Sequence, residues 1–228
     1  VDYIHAGDIF QVNLSQRLLH PATSDSPGLY QRLRRRNPAT FSGYFSLHEF
    51  QIVSASPERF LQVRQGVVQA RPIKGTRARI ARPEADLYAA ADLQRSEKDR
   101  AENVMIVDLI RNDLGRISQL GSVTVENLWE LERYETVWQM TSGVRSRCRP
   151  EVSLAQLFVA LFPSGSVTGA PKIRTMEIIA ELEDSPRGVY TGAIGFVSPR
   201  TTVGGVLAPA KGVLGLEASF NVAIRTLC

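Results

Sequence analysis

The sequence predicts an α+β fold built on antiparallel sheet, and three observations predict it. Residues 40–71 hold four short apolar-rich runs separated by two-residue turn signals, and strands joined that tightly pair antiparallel. Residues 83–114 change to a helical period with Pro and Ser at the expected starts. A length of 228 residues with 43% hydrophobic and 22% charged content is ordinary for a globular domain with a sizeable core.

Taken in order, Asp8–Leu18 is predicted as a strand, with Ile9, Val12, Leu14 and Leu18 apolar, and residues 20–28 as a loop rich in Pro and Gly. Leu29–Arg36 reads as a helix ended by Asn37-Pro38. Its Arg32, Arg34, Arg35 and Arg36 suit either an RNA-binding face or a helix C-terminus, where cations complement the dipole. No aromatic residue is interleaved for base stacking, so the helix-terminus reading is preferred. Thr40–Leu47, Gln51–Ala55, Arg59–Arg64 and Val67–Arg71 are the four strands, with turns at His48-Glu49, Ser56-Pro57 and Gln65-Gly66. Pro83–Gln94 and Ser96–Leu114 are helices, the second with a buried stripe of Val104, Val107, Ile110 and Leu114 widened by Met105 and Ile106. Ser122–Glu126 and Val144–Arg147 read as strands, and Tyr134–Ser142 between them fits neither period clearly. An apolar helix spans Leu154–Phe162, and a second helix carries Met176, Ile179 and Leu182 on one face. Val189–Val197 and an alternating Leu216–Leu227 complete the strands.

The chemistry concentrates in a few places. Arg71-Pro72-Ile73-Lys74-Gly75-Thr76-Arg77 places one lysine in a turn closed by Pro72 and loosened by Gly75. Such a lysine serves either as a point charge for an anion or as a nucleophile. At a lysine's reference pKa of about 10.4 only roughly one amine in 2,500 is neutral at pH 7, so nucleophilic use needs a dry pocket, neighbouring cations or a base. Arg71, Arg77 and Arg79 are the candidate cations and Glu58 the candidate base, against the alternative of a surface carboxylate paired with Arg59. Asp99 and Glu102, three apart on one helical face, could share a divalent cation, or else Asp99 caps the helix and Glu102 pairs with Lys98. The loop Phe162–Lys172 brings two glycines and several hydroxyls to a helix N-terminus, a plausible anion cradle without P-loop spacing. Arg225 could fork a carboxylate or reach solvent. Cys148 and Cys228 give neither a disulfide framework nor a metal spacing, which fits a reducing compartment. No run reaches the length of a membrane span, and a net charge of +4 suits nucleic acid and small acidic substrates alike.

Several strings together, in order, resemble the chorismate-utilising family: Gly7–Leu14, Ser56-Pro57-Glu58-Arg59, Arg71–Thr76, Glu102–Leu109, Arg111-Asn112-Asp113, Gly165–Lys172 and Asn221–Thr226. Within it, Pro72-Ile73-Lys74-Gly75-Thr76 looks like the aminodeoxychorismate synthase branch, whereas anthranilate synthases carry alanine at the lysine position. The resemblance implies antiparallel β-sheets forming a large sandwich-like core flanked by helices, with residues 1–228 a chorismate-binding catalytic domain truncated at both ends. It implies conversion of chorismate and ammonia to 4-amino-4-deoxychorismate through a covalent lysine adduct, in para-aminobenzoate and folate biosynthesis. Lys74 would be the nucleophile and Glu58 the general acid/base. Gly75, Thr76, Gly165, Ser166, Tyr190, Gly192 and Arg225 would bind substrate, Arg225 and Tyr190 holding the enolpyruvyl carboxylate. Mg²⁺ would be held by Glu102, with Asp99 acting through water. Ammonia would come from a glutamine amidotransferase subunit or domain, and the location would be cytoplasmic, with no nucleic-acid or membrane partner.

Three departures stand beside the resemblance. Gln139 occupies a position where relatives often have histidine, and glutamine cannot shuttle a proton at neutral pH, which argues against pyruvate elimination. Pro199 to Leu216 reads as a glycine-rich insertion. The family's further metal-binding glutamates come after the arginine strand, beyond Cys228, so the chain is expected to lack part of its metal site. The rival readings are an anthranilate-synthase-like lyase, a basic RNA-binding module and a non-catalytic homologue.

Overall fold

A computed structural model describes residues 1–199 and 212–228. The chain forms two compact units, the first made of Val1–Glu58, Pro163–Ile194 and Asn221–Cys228, the second of Arg59–Phe162 and Gly195–Phe220. The α+β expectation holds, and every strand pairing whose register is described is antiparallel.

In the first unit, helix α1 (Asp2–His5) leads to strand β1 (Gln11–Val12), then helix α2 (Ser26–Arg36) and strands β2 (Phe41–Ser46) and β3 (Gln51–Ser56). The strand predicted over Asp8–Leu18 is therefore only two residues long. Leu18 is 85% exposed and Leu14 52% exposed, so the apolar pattern buries nothing after Val12 that would extend the strand, although Ile9 before it is buried. Helix α2 starts where Asp25 accepts from the Gly28 amide at 2.6 Å and ends with Arg34, Arg35 and Arg36 in its last turn, the helix-terminus arrangement the sequence favoured. β2 and β3 form a hairpin joined on its other side by strand β12 (Thr226–Leu227), in the order β12-β3-β2. Strand β9 (Gly169–Ala170) pairs with β1, and helix α6 (Lys172–Leu182) follows it. Helix α6 buries the predicted face only at Ile179, which faces inward with Thr175 and Ile178, whereas Met176 and Leu182 are 41% and 48% exposed.

The second unit, among the described residues, is three α-helices and a seven-stranded sheet in the order β10 (Ala193–Pro199), β11 (Leu216–Val222), β4 (Arg59–Arg64), β5 (Val67–Arg71), β8 (Val137–Arg147) and β6 (Ile73–Ala78), with β7 (Thr124–Arg133) on β8. Strands β4 (Arg59–Arg64) and β5 (Val67–Arg71) have their predicted bounds, joined by Gln65 and Gly66 at φ 54° and 74°, the positive pair a tight hairpin turn requires. Pro72 does not end the sheet. Strand β6 (Ile73–Ala78) continues past it, so Lys74 lies in a strand and not in a turn. β6 pairs with β8 with a register shift between Ile73 and Thr76, a bulge in which Gly75 takes φ 91°. Helices α3 (Pro83–Arg95) and α4 (Glu97–Gly115) meet at Ser96, whose side chain accepts from the Asp99 amide at 3.3 Å. The inward face of α4 is Asn103, Ile106, Val107, Ile110, Asp113 and Leu114, while Val104 and Met105 are only half-buried. The ambiguous stretch before residue 143 resolves as one long hairpin, β7 (Thr124–Arg133) and β8 (Val137–Arg147). β8 is the central strand, bonded to β5, β6 and β7, and its Met140 and Val144 are fully buried. Helix α5 (Leu154–Leu161) opens with a reciprocal capping box between Ser153 and Gln156. Its Phe158 packs edge-on to Phe220 at 4.9 Å and beside Phe60 at 6.0 Å, tying the helix to β11 (Leu216–Val222) and β4.

Two further expected strands are shorter than predicted. Strand β10 is Ala193–Pro199, leaving Tyr190 and Gly192 in the turn before it, where Thr191 has φ 61°. The final strand breaks after Val222, because Ile224 bonds back to Val222 and Arg225 takes φ 51°. The predicted insertion between Pro199 and Leu216 lies for the most part outside the described residues. Among the described residues no helix is long and apolar enough to cross a membrane.

Candidate active site

The candidate residues fall into two groups, one built within each unit. In the first unit, Glu58 follows β3 and is 4% exposed, so it is not the surface carboxylate of the alternative reading. Its Oε1 accepts from Ser166 Oγ at 2.5 Å, and Ser166 Oγ lies 2.9 Å from Ser164 Oγ. A buried carboxylate requires such donors, because an unpaired charge out of water costs several kcal/mol (about 2–7 even for a neutral polar group). Gly165 and Ser166 form a 3-10 turn, Gly165–Val167, whose amides point back to Ser164 and Gly165 carbonyls, so the loop's NH groups are partly spent internally.

The segment 222–225 knits the other members of this group together. The Val222 amide donates to the Glu58 carbonyl at 3.1 Å, and Ser56 Oγ donates to the Val222 carbonyl at 2.6 Å. The Thr191 amide donates to the Ala223 carbonyl, and the Ala223 amide to the Gly192 carbonyl. A side chain at Gly192 would sit 2.8 Å from the Val189 carbonyl, so this turn accepts only glycine without shifting. Arg225 carries its carbonyl onto the Ala55 amide at 3.1 Å, and its side chain is exposed, off the strand on which the sequence reading placed it. Tyr190 is 40% exposed.

In the second unit, β6 brings Lys74, Gly75 and Thr76 against the first turns of α4. A Cβ at Gly75 would stand 3.0 Å from Asp99 Cβ and 2.8 Å from Leu93 Cδ1, which fixes the strand and the carboxylate side by side. Thr76 faces Gln139 across the β6–β8 pair. Helix α4 is anchored to β8 where Ser142 Oγ donates to Asn103 Oδ1 at 2.6 Å, one residue beyond Glu102. With both a positive φ and no room for a methyl group, Gly75→Ala destabilises the protein by about 1–3 kcal/mol, read as a lowered denaturant midpoint with an unchanged m value.

The cations predicted to sit around Lys74 are committed elsewhere. Arg71 Nη2 lies 2.5 Å from both Glu130 and Glu132, and Arg77 bonds Asp92 at 2.7 Å and Asp99 at 3.2 Å. Arg79 grips Asp86, which also accepts from the Ile80 amide and Trp138 Nε1. Arg79 first, and then the Ile80 amide, hold the Asp86 carboxyl well below the usual range. Each guanidinium is offset by a carboxylate from β7, α3 or α4, a cross-element pairing that sequence distance cannot show. Lys74 itself is half-buried. Burial pushes the Cys148 thiol up to about 11, in keeping with a bystander.

Glu102 has no hydrogen-bond or ion-pair partner among the described residues, whereas Asp99 already pairs with Arg77. No group of three or more metal-ligating side chains exists among the described residues. An ion such as Mg²⁺, which keeps several waters and takes few protein ligands, fits Glu102 directly and fits Asp99 only through water.

The family model for chorismate binding enzymes matches residues 1–228. The chain belongs to the chorismate-binding enzyme family. It is 48% identical over 196 residues to aminodeoxychorismate synthase component 1 of Klebsiella aerogenes, covering 86% of this chain and 44% of that protein. It is 40% identical over 225 residues to aminodeoxychorismate synthase component 1 of Bacillus subtilis, covering 99% of this chain and 45% of that protein. The crystal structure of anthranilate synthase component I from Streptococcus pneumoniae superposes with a TM-score of 0.81 at 39% identity, covering 99% of this chain and 46% of the other. The chain thus spans a little under half the length of these chorismate-binding relatives.

Proposed function

We propose that the complete protein is the chorismate-aminating component of an aminodeoxychorismate synthase, all of residues 1–228 belonging to its chorismate-binding catalytic domain. The observation that carries this reading is a lysine at position 74, on a strand packed against the acidic face of α4, in a chain 40–48% identical to curated proteins of that name. The Lys74 amine forms a bond to C2 of chorismate as both conjugated ring double bonds shift one position toward C4, from C1=C2 and C5=C6 to C1=C6 and C4=C5, and the C4 hydroxyl leaves as water, its proton supplied by Glu58. Ammonia then forms a bond to C4, both double bonds return, and the lysine leaves C2 as a free amine. Glu58 takes up the proton the ammonia loses, which returns it to its starting form. The enolpyruvyl group stays on the ring throughout, its carboxylate held by Arg225 and Tyr190, with Gly165, Ser166 and Gly192 lining the same end. Gly75 and Thr76 lie beside the ring. Glu102, with Asp99 acting through water, would hold Mg²⁺, which would supply positive charge for the ring carboxylate. Ammonia comes from a glutamine amidotransferase subunit or domain, and the reaction serves para-aminobenzoate and folate synthesis in the cytoplasm without a nucleic-acid or membrane partner.

An anthranilate-forming reading draws on the solved relative at 39% identity. Lys74 and Gln139 weigh against it, since the lysine competes for the ring and glutamine cannot move the proton that pyruvate loss requires. Incubation of the complete protein with chorismate, Mg²⁺ and ammonium separates the two. The expected product is 4-amino-4-deoxychorismate with no pyruvate, and pyruvate released by this polypeptide alone contradicts the proposal.

A further inference from the structure

We propose that Arg187 and Glu183 are positioning residues that hold the loop Ser164–Thr168 so that the Ser166 hydroxyl stays on the Glu58 carboxylate, a role that rests on the acid/base reading of Glu58 given above.

Arg187 lies in the turn after α6, its side chain is 13% exposed, and each edge of its guanidinium is used. Nε donates to both Glu183 oxygens at 3.1 and 2.9 Å, Nη1 donates to the Val167 carbonyl at 2.9 Å, and Nη2 donates to the Asn13 carbonyl at 2.6 Å and to Glu183 at 2.5 Å. One planar group thereby joins the end of α6, the residue after Ser166, and the segment following β1. Glu183 extends the joint by accepting from the Ser15 amide at 2.8 Å and hydroxyl at 3.0 Å. Asn13 returns to the same loop, its amide and side chain donating to the Thr168 carbonyl at 2.8 and 3.2 Å. Thr168 Oγ1 closes the loop onto the Ser164 carbonyl at 3.0 Å. The two residues that follow Ser166 have their carbonyls pinned from outside the loop, Val167 by Arg187 and Thr168 by Asn13.

The arrangement has a purpose that stability alone does not require. A surface connection between a helix and a strand needs no buried ion pair, and a buried pair is a weak source of net stability, because desolvation consumes the attraction. What it does supply is fixed geometry. The fork of a guanidinium holds two carbonyls and a carboxylate in one plane, which a lysine cannot do. A hydroxyl held at 2.5 Å from Glu58 Oε1 fixes the position of that carboxyl group for proton transfer. Arg187 and Glu183 also line a cavity of about 420 Å³ with Thr168, Met176 and Ile179, and neither Glu58 nor Ser166 is among its lining residues.

The test is a double-mutant cycle in the complete protein, read as chorismate amination, together with hydrogen exchange at the Asn13, Val167 and Thr168 amides. Arg187→Lys and Ser166→Ala are each expected to lower kcat about ten- to a hundredfold with KM little changed, and the double variant to fall no further than the worse single. Glu183→Gln, which keeps the shape of the pair and removes its charge, is expected to act in the same direction. Amide exchange at the three positions is expected to accelerate in Arg187→Lys. Multiplying effects in the cycle, or unchanged exchange in Arg187→Lys, would overturn the proposal. Failure of the wild type to aminate chorismate would refute the proposed reaction, and the exchange measurement would still decide whether Arg187 holds the loop.

Discussion

Lys74→Ala in the complete protein abolishes the covalent ring adduct and lowers amination of chorismate about a hundredfold, a loss of roughly 2.7 kcal/mol of transition-state stabilisation. The expectation follows from chemistry that only an amine at that position supplies. Without the C2 bond, the C4 hydroxyl must be displaced directly by ammonia, a step aided by orientation alone. Residual turnover is therefore compatible with the account, since the remaining groups still bind and align the ring. The fold should survive the change, because the backbone of β6 and not the lysine side chain makes the pairing with β8. A thermal midpoint close to that of the wild type separates lost chemistry from lost structure, and full amination by the alanine variant would refute the nucleophile.

Glu58→Gln is the second large effect, expected to reduce kcat by about 10²–10⁴-fold, the usual range for a general acid/base. Glutamine retains the size and an acceptor for the Ser166 hydroxyl, so the loop geometry at 2.5 Å has a partner to keep. What disappears is the ability to give a proton to the departing hydroxyl and to take one from the incoming ammonia. The KM for chorismate is expected to change little, because a residue acting on protons in the transition state contributes little to ground-state binding. A large rise in KM with kcat preserved would assign Glu58 to binding instead.

The antiparallel sheet was legible because β2 to β5 are consecutive hairpins, whose turn residues and alternation are local features. The Gln65-Gly66 turn and the bounds of β4 and β5 follow from two positive φ angles that glycine and its neighbour readily supply. Boundaries failed where tertiary contacts override local pattern. Pro72 looks like a stop, yet a proline closes only the hydrogen bond its own nitrogen would make, and β8 pairs with Ile73 beyond it. Alternation carried the last strand through Arg225, although the chain turns there to feed bonds to Ala55 and Gly192.

Of the candidate site, the strings carrying Lys74, Glu58 and Ser166 were legible because they are contiguous. Residues whose importance arises only in three dimensions were not. Ser56, Asn13, Glu183 and Arg187 are ordinary polar residues in sequence, and each acquires its role from a partner more than 150 positions away, Ser56 from Val222 and the others from one another and the Ser166 loop. The spacing of Glu183 and Arg187, four apart, was the one available signal, and i,i+4 pairs are too common to mark a site. The arginines around Lys74 erred in the opposite direction, since nearness in sequence suggested cations that Glu130, Glu132, Asp86, Asp92 and Asp99 neutralise.

The most direct measurement is intact-protein and peptide mass spectrometry of the complete protein mixed with chorismate and Mg²⁺ and quenched before ammonia is supplied. The account predicts a population heavier by one chorismate less one water, with the added mass on the peptide carrying Lys74, and its discharge when ammonium is added. Amination at the normal rate with no such species at any time, or with the added mass on another residue, would contradict it.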